Sequence, residues 1–389
     1  MLVIKFLLIL LLFTFFNLEC SVNPSSDSDS LDLCDAAPIR KTGCKVASER
    51  VIEEAKSLKK RVSKKRRRSS SDTPCVDLPS SDSIIELSGI SNWPSELIYN
   101  QKGLNACAAN SLAFCVRYLS IRNSSNPNNF TDNPELLSIS RLYLYYNTRY
   151  LEGLIDEKDI VKKDVGASIE ASVLALSRYG CCPETFSDEL QCTLGPFKYG
   201  GWEYSKKLFP VQPAPENYYF AFGHYSKLKS EEQTLKDATP NSYMSIIKNI
   251  RCIDLYSKYE KRKNLALTAR QKSSLIKEFK VTLGENIPIF YGLAHDQNLD
   301  KNDHGFVQTP DLATFSPTGD DCKINHAIVI VGYGKYNSSK PKENYFKFIN
   351  SWGPHWGDKG FGYLKEDYIT NHHLFSVGAY SIDLAKGEI

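Results

Sequence analysis

The hydrophobic pattern changes from helical to strand-like along the chain, and this change constrains the fold most. In the first half, apolar residues recur at three- and four-residue intervals in two segments, one beginning near Asn105 and one running from Ser168 to a stop at Gly180. Three short β-rich apolar runs follow in the last third, at residues 324–331, 345–349 and 361–364. This order predicts an α+β fold with two differently built lobes, the N-terminal one helical and the C-terminal one strand-rich.

The N-terminal end is predicted to be a signal peptide. Lys5 precedes a run of eleven residues, 6–16, that is apolar except for Thr14. That run is shorter than the roughly 20 residues that cross a bilayer as a helix. Residues 1–20 are therefore predicted to be cleaved, although a retained signal anchor is the alternative because the small-residue cleavage pattern is poor. No stable membrane span is expected.

Residues 21–74 are predicted to be a propeptide that precedes a body at 75–389. Eight of the ten residues at 59–68 are basic, which favours an exposed site for a trypsin-like or furin-like processing protease. A solvated charge run and a nuclear localisation signal are the alternatives. A nuclear localisation signal would have no function in a chain that enters the secretory pathway. Within the body, residues 120–135 and 200–280 are interpreted as insertions, and the second is expected to be helical.

The charge of the body argues against a nucleic-acid partner. The whole chain has a formal charge of +3, but residues 21–74 hold 13 Lys and Arg against 8 Asp and Glu, and the first 20 residues are neutral. The body is therefore left at −2. Sequence-independent binding of nucleic acid needs a basic surface, so no nucleic-acid partner is predicted.

Cysteines and glycosylation motifs indicate a secretory route. Eleven cysteines behind a secretory start favour an oxidising compartment and some disulfides, whose connectivity cannot be read from the spacing. Glycosylation is predicted at three sequons in polar, loop-like segments, at Asn123, Asn129 and Asn337. The protein is therefore expected to be secreted or to reside in a lysosome-like or vacuole-like compartment.

Cys107 is the candidate nucleophile. It lies in the first turn of the predicted helix, for which Asn105 is the predicted N-cap. A thiol ionises readily at a helix N-terminus beside a histidine, because the helix dipole and the imidazolium favour the thiolate. Gln101, across a turn loosened by Gly103, can donate to an oxyanion together with the backbone N–H of Cys107. A buried packing cysteine and an ordinary surface amide are the alternatives.

His326 and Asn350 are the candidate partners of this thiol. His326 opens the longest apolar strand, and Asn350 ends the next one. An amide there can accept the ring N–H and hold the tautomer that faces the thiol, while the neighbouring indole of Trp352 shields the bond from water. A structural histidine and a turn-forming asparagine are the alternatives.

No metal or other cofactor is predicted. The seven histidines include no pair or cluster with zinc-site spacing. The acidic segment at residues 295–304 lacks the central Gly and the final Glu of a calcium loop, so a polar loop is the preferred interpretation.

These residues together resemble the papain-like cysteine peptidases, peptidase family C1. The resemblance rests on residues 100–107 (NQKGLNAC), 324–334 (INHAIVIVGYG) and 350–357 (NSWGPHWG), of which the last is highly specific. Leu104 and Ala108 stand where many relatives have Cys and Trp, so the signature around Cys107 is not the usual one. Residues 107–110 (CAAN), 141–147 (RLYLYYN) and 166–168 (GAS) resemble a divergent microbial or viral-type branch more than a standard cathepsin.

The resemblance implies a papain-like two-lobe fold and a cysteine endopeptidase that hydrolyses peptide bonds through a thioester. It implies Cys107 as nucleophile, His326 as general acid and base, Asn350 as the orienting residue and Gln101 in the oxyanion hole. It further implies that Trp352, Trp356 and Gly166 border the substrate cleft. Protein or peptide substrates and a monomer are expected. The alternatives are a catalytically silent papain-like binding protein and an exopeptidase or transpeptidase.

Overall fold

In a computed structural model of the 389-residue chain, the described parts all belong to one compact unit, Ile39–Ile389. They are residues 44–45, 50–51, 84–123, 138–153, 163–184, 202–213, 217–218, 221, 250–255, 266–294, 299, 304–309, 325–337, 339–340, 342–371 and 376–384. The predicted signal peptide, the basic run, Asn129 and most of the acidic segment (residues 295–298 and 300–303) lie outside the described residues.

The elements whose bounds are described are five helices and ten strands. In chain order they are β1 (Cys44–Lys45), β2 (Ile85–Glu86), α1 (Cys107–Asn123), α2 (Arg141–Leu151), β3 (Ala167–Ser168), α3 (Ile169–Tyr179), β4 (Ile250–Asp254), α4 (Ala269–Gly284), β5 (Ile289–Ala294), β6 (Phe306–Val307), β7 (Asn325–Gly334), β8 (Tyr345–Ile349), β9 (Phe361–Lys365), α5 (Glu366–Thr370) and β10 (Ser376–Leu384). Two single-turn 3-10 helices, Ile90–Asn92 and Ser95–Leu97, precede α1. The predicted α+β class is confirmed, although α4 and α5 lie among the strands of the second half.

The strands form one mixed sheet with the order β4-β10-β5-β7-β8-β9-β6. Its long neighbours pair antiparallel, while β6 runs parallel to β9. The centre of the sheet, β5 and β7, is apolar and almost wholly buried, because it packs between α1 on one side and α4 on the other. The central strand β7 therefore has a fixed position, and it carries His326 near its start.

Helix α1 begins at Cys107, one residue later than an N-cap at Asn105 requires. The amides of Asn105 instead donate to Asp164, from the backbone N to Oδ2 (2.7 Å) and from Nδ2 to the backbone oxygen (2.6 Å). The helix is buried on nearly every side, so polar side chains such as Asn110 and Ser111 form hydrogen bonds within the protein.

Helix α3 has the predicted ends. The Ser168 hydroxyl accepts a hydrogen bond from the backbone N–H of Ala171, and Gly180 forms the C-cap with a φ of 66°. A serine cap and a glycine stop depend only on local chemistry, so the sequence alone is sufficient to predict them.

The segment at 200–280 is not purely helical as expected. Residues 250–254 form β4, which pairs with β10 at an edge of the sheet, whereas α4 begins within the segment and ends four residues beyond it. Among the described residues, no helix is both long and apolar enough to cross a membrane.

Candidate active site

Cys107 is the first residue of α1, and its side chain has no exposed surface. The first backbone N–H groups of a helix have no partner within the helix, and the dipole is positive there. Negative charge on the Cys107 sulfur is therefore favoured by its place at the helix start.

His326 and Asn350 meet across two neighbouring strands. His326 lies near the start of β7 and Asn350 follows directly after β8, and these strands pair antiparallel. His326 Nε2 lies 2.7 Å from Asn350 Oδ1. The same oxygen accepts a second hydrogen bond from the backbone N–H of Ser351 at 2.8 Å, which fixes the orientation of the amide. An acceptor at Nε2 holds the ring proton there, so the other ring nitrogen, Nδ1, is the one available for proton exchange with a thiol.

The indole of Trp352 covers the imidazole. The two ring centroids lie 4.8 Å apart with a 30° tilt between the planes, and Trp352 is only 9% exposed. Exclusion of water strengthens a hydrogen bond between polar groups, so the indole protects the contact between His326 and Asn350.

A hydrogen bond joins the cysteine helix to the histidine strand. The Ser111 hydroxyl, one turn after Cys107, donates to the backbone oxygen of Ala327 at 2.9 Å. Ala327 is the residue after His326. The tether therefore fixes the position of the thiol helix relative to the imidazole, and the sequence pattern gave no sign of it.

Gln101 is fully buried, and both the oxygen and the nitrogen of its side-chain amide are hydrogen-bonded. Its Oε1 accepts from the Ser351 hydroxyl at 2.6 Å, and its Nε2 donates to the backbone oxygen of Leu104 at 2.9 Å. The hydrogen bond from Ser351 fixes the orientation of the Gln101 amide, with its oxygen towards Ser351. The nitrogen, which is the donor an oxyanion needs, is thereby directed to the other side, where the chain leads into Cys107.

The segments that carry Gln101 and Asn350 are bonded to each other. Backbone N–H groups of Gln101 and Gly353 donate to the oxygens of Ser351 (2.8 Å) and Tyr99 (3.1 Å). Gly353 has a φ of 80°, and a Cβ there would lie 2.9 Å from the Asn100 side chain, so this close approach needs glycine. The oxyanion candidate and the orienting amide are thus parts of one rigid corner.

Gly166 lies directly before β3. Its backbone N–H donates to the Tyr145 hydroxyl at 2.9 Å, and that hydroxyl donates to Asp164 at 2.7 Å. The strand edge that pairs with another segment comes one residue later, at β3, where β1 runs parallel to it. Trp356 is 3% exposed and packs edge-on against Trp352 at 5.5 Å. It thus lies within the core beneath Trp352.

Strand β1 crosses the candidate site. The backbone of Cys44 pairs with Ala167 in β3 and with Asn325, the residue before His326, in β7. The region predicted to be a propeptide therefore bridges the two elements that flank the site. Its continuation also docks, since Arg50 Nη2 donates to the Leu151 oxygen at 2.8 Å and Val51 is buried.

The described residues contain no cluster of His, Cys, Asp or Glu that could hold a metal ion. The predicted glycosylation sites differ in setting. Asn123 is the last residue of α1 rather than a loop residue, and Asn337 lies in the turn after β7, where its Oδ1 accepts from the Ser339 N–H.

Comparison with known proteins agrees with this geometry. A family model described as papain family cysteine protease matches residues 216–378, a stretch that includes His326 and Asn350. An uncharacterized peptidase C1-like protein of Acanthamoeba polyphaga mimivirus is 25% identical over 299 residues, covering 76% of this chain and 73% of that protein. These matches support a divergent papain-like C1 protein.

Two further matches are narrower or more distant. Serine-repeat antigen protein 5 of Plasmodium falciparum is 44% identical over 72 residues, which is 17% of this chain and 7% of that protein. Among solved structures, xylellain, a cysteine protease from Xylella fastidiosa, matches with 20% identity and a TM-score of 0.49, covering 90% of this chain and 94% of that one.

Proposed function

We propose that this papain-like protein is a cysteine endopeptidase. The observation that carries the proposal is the 2.7 Å contact between His326 Nε2 and Asn350 Oδ1, on a strand tethered to the helix that begins with Cys107. An imidazole oriented by an amide, next to a thiol at a helix N-terminus, is the arrangement that activates a sulfur nucleophile.

The reaction proceeds through a thioester. The Cys107 thiolate attacks the carbonyl carbon of the peptide, a carbon–sulfur bond forms, and the carbonyl oxygen becomes an oxyanion. The imidazolium of His326 gives its Nδ1 proton to the leaving amine as the carbon–nitrogen bond breaks. A water molecule then gives a proton to His326 and attacks the thioester, which releases the carboxylic acid and restores the thiolate.

Gln101 and the backbone N–H of Cys107 stabilise the oxyanion. The support for this role is the fixed orientation of the Gln101 amide between Ser351 and Leu104. Donors that are already aligned need no reorganisation as charge develops, and the loss of one such donor lowers kcat by about 10²–10³-fold. Trp352 shields the imidazole, and Gly166 borders the strand edge at which an extended substrate pairs.

Turnover of peptides by the processed chain tests this function. Wild type should cut denatured protein at internal bonds and take a thiol-directed epoxide at Cys107, whereas Cys107→Ala should do neither. Labelling without cleavage, or no labelling, would contradict a peptidase and favour a silent binding protein. Product masses from a peptide library that show only end trimming or ligation would favour an exopeptidase or transpeptidase.

We also propose that residues 21–74 act as a propeptide. β1 pairs with both flanking strands, and Cys107 and His326 have no exposed surface, which supports a segment that must leave before substrate can reach them. Cleavage at the basic run of residues 59–68 by a processing protease would release it, along the secretory route that the signal peptide at residues 1–20 implies. N-terminal sequencing of secreted material tests this directly, since a chain that still begins near Ser21 would refute the processing step.

A further inference from the structure

Two side chains distant in the sequence lie behind the oxyanion corner, and neither belongs to the proposed catalytic set. Arg141 is the first residue of α2, and Tyr204 lies in the stretch at 200–280 that was interpreted as an insertion. Both are 8% exposed. The guanidinium of Arg141 stacks on the Tyr204 ring at 3.8 Å from its centroid.

Tyr204 holds the backbone of the oxyanion candidate. Its hydroxyl donates to the backbone oxygen of Gln101 at 2.9 Å. Burial raises the pKa of Tyr204, so the hydroxyl keeps its proton and remains a donor across the working pH range. Because Ser351 O accepts from the N–H of the same residue, the backbone of Gln101 is fixed on both sides.

Arg141 joins the oxyanion segment to the cysteine helix. Its Nη1 donates to the backbone oxygen of Asn100 at 3.0 Å and to Oδ1 of Asn110, in α1, at 3.1 Å. The Asn110 side chain in turn donates to the oxygen of Ala106, the residue before Cys107. One guanidinium therefore contacts both segments that carry the proposed oxyanion donors.

Arg141 is itself fixed by a buried ion pair with Glu184. Its Nε donates to Glu184 Oε2 at 2.7 Å, and its Nη2 bonds to Oε1. Burial alone would lower the pKa of Arg141, but the hydrogen bonds and charge of Glu184 outweigh burial and raise it, so the group stays charged. A two-pronged pair of this kind restricts the guanidinium to one orientation.

We propose that Arg141 and Tyr204 are positioning residues for the oxyanion site. They hold residues 100–101 against the start of α1, so that the Gln101 amide and the Cys107 N–H keep the spacing an oxyanion requires. The inference rests on the proposed peptidase function and deepens it. It also assigns a role to part of the 200–280 segment, since Tyr204 reaches the site from there.

Tyr204→Phe is the sharpest variant, because it removes only the hydroxyl and keeps the ring against Arg141. Replacing Arg141 instead would leave Glu184 charged and buried, which destabilises a fold strongly. Tyr143→Phe is the matched control, since that buried hydroxyl donates to the backbone oxygen of Tyr179, away from the site.

Measured on the processed chain, Tyr204→Phe should lower kcat for peptides about five- to tenfold relative to Tyr143→Phe, with KM within about twofold. Affinity for a peptide aldehyde, which forms a tetrahedral adduct with cysteine, should fall by a similar factor. The rate of epoxide labelling at Cys107 should not change, because that reaction builds no oxyanion on a carbonyl carbon. In a Gln101→Ala background, Tyr204→Phe should have no further effect on kcat.

An unchanged kcat in Tyr204→Phe, or an equal additional loss in the Gln101→Ala background, would overturn the inference while wild-type turnover leaves the peptidase proposal intact. Absence of both labelling and turnover in wild type would instead refute the peptidase function, and the inference with it.

Discussion

At the scale of single residues, the site depends on amide orientation more than on charge. The carbonyl of Asn350 accepts from both His326 and Ser351, and that of Gln101 accepts from the Ser351 hydroxyl. Ser351 thus takes part in orienting both amides. The sequence shows that Ser351 follows Asn350. It does not show that the Ser351 side chain contacts Gln101, which lies 250 residues away.

Asn350→Ala tests the orienting role. Without its carbonyl, the ring of His326 loses the acceptor that holds its proton on Nε2, so kcat for peptides should fall at least about tenfold. Steady-state kinetics on the processed chain measures this. Asn147→Ala, at a buried asparagine whose amide bonds to Tyr143 and Tyr218, is the control. Equal kcat values in the two variants would argue against an orienting role for Asn350.

Local signals in the sequence point to the candidate catalytic residues, whereas the sequence gives no sign of long-range contacts between side chains. Cys107, His326 and Asn350 could be selected because a helix start and two strand ends are periodicity features. Arg141 and Tyr204 could not, because their importance comes from contacts with Asn100, Asn110 and Gln101 that only the folded chain creates.

At the scale of secondary-structure elements, the sequence predicts correctly those elements whose signal lies within their own residues. Strand β8 spans Tyr345–Ile349 as predicted, because an apolar run ended by Asn is a local feature. Strand β4 escaped prediction since its only reason to be extended is its pairing with β10, more than 120 residues later. Tertiary pairing thus decided the structure where periodicity was weak.

The capping box at the start of α4 should contribute measurably to stability. Thr268 Oγ1 accepts from the Gln271 N–H at 3.3 Å, and Gln271 Oε1 accepts from the Thr268 N–H at 2.9 Å. Thr268→Ala should lower the free energy of unfolding by about 1 kcal/mol, measured by urea titration. Thr268→Ser keeps the hydroxyl and should stay close to wild type. A loss as large in the serine variant would show that the methyl group, not the cap, matters.

An ion pair links β2 to β8. Glu86 Oε1 lies 3.1 Å from Lys347 Nζ. Burial alone would raise the pKa of Glu86, but the hydrogen bond from Ser91 and the charge of Lys347 outweigh it and hold the pKa below its ordinary value of 4.5. A carboxylate with a lowered pKa stabilises the fold above its ordinary pKa, and that contribution disappears as the pH falls through the folded-state value.

Glu86→Gln should therefore lower the free energy of unfolding by about 0.5–1 kcal/mol at pH 7, and the difference from wild type should shrink towards acid pH. Urea titrations at a series of pH values measure it. Glu96→Gln, at an exposed position, serves as control. A difference that stays constant down to about pH 3 would contradict an ionic contribution from Glu86.

At the scale of the whole molecule, the predicted propeptide pairs with the two strands that flank the candidate site. Strand β1 pairs with Ala167–Ser168 on one side and with Asn325 on the other. The sequence indicated a removable segment from its basic run, but it could not indicate where the segment docks, because two-residue pairings leave no periodic pattern.

Weakening β1 should expose the thiol before processing. In a chain kept uncut by alanine at all eight basic residues of 59–68, Lys45→Pro removes a backbone N–H from the pairing strand and should speed epoxide labelling of Cys107. Lys45→Ala keeps the N–H and should leave labelling slow. Mass spectrometry of the labelled peptide gives both rates. Fast labelling of the uncut parent chain would contradict the proposal that β1 covers the site.

The central claim is that Cys107 and His326 act as one coupled pair, and the pH dependence of Cys107 alkylation tests it most directly. A thiolate stabilised by an imidazolium and a helix N-terminus should be alkylated at about pH 5–6, where ordinary thiols are almost fully protonated. Peptide turnover should follow a bell-shaped profile whose two limbs belong to the pair. Alkylation that is negligible at acid pH and only rises into alkali, with turnover following it, would mean an unassisted thiol and would contradict the pairing.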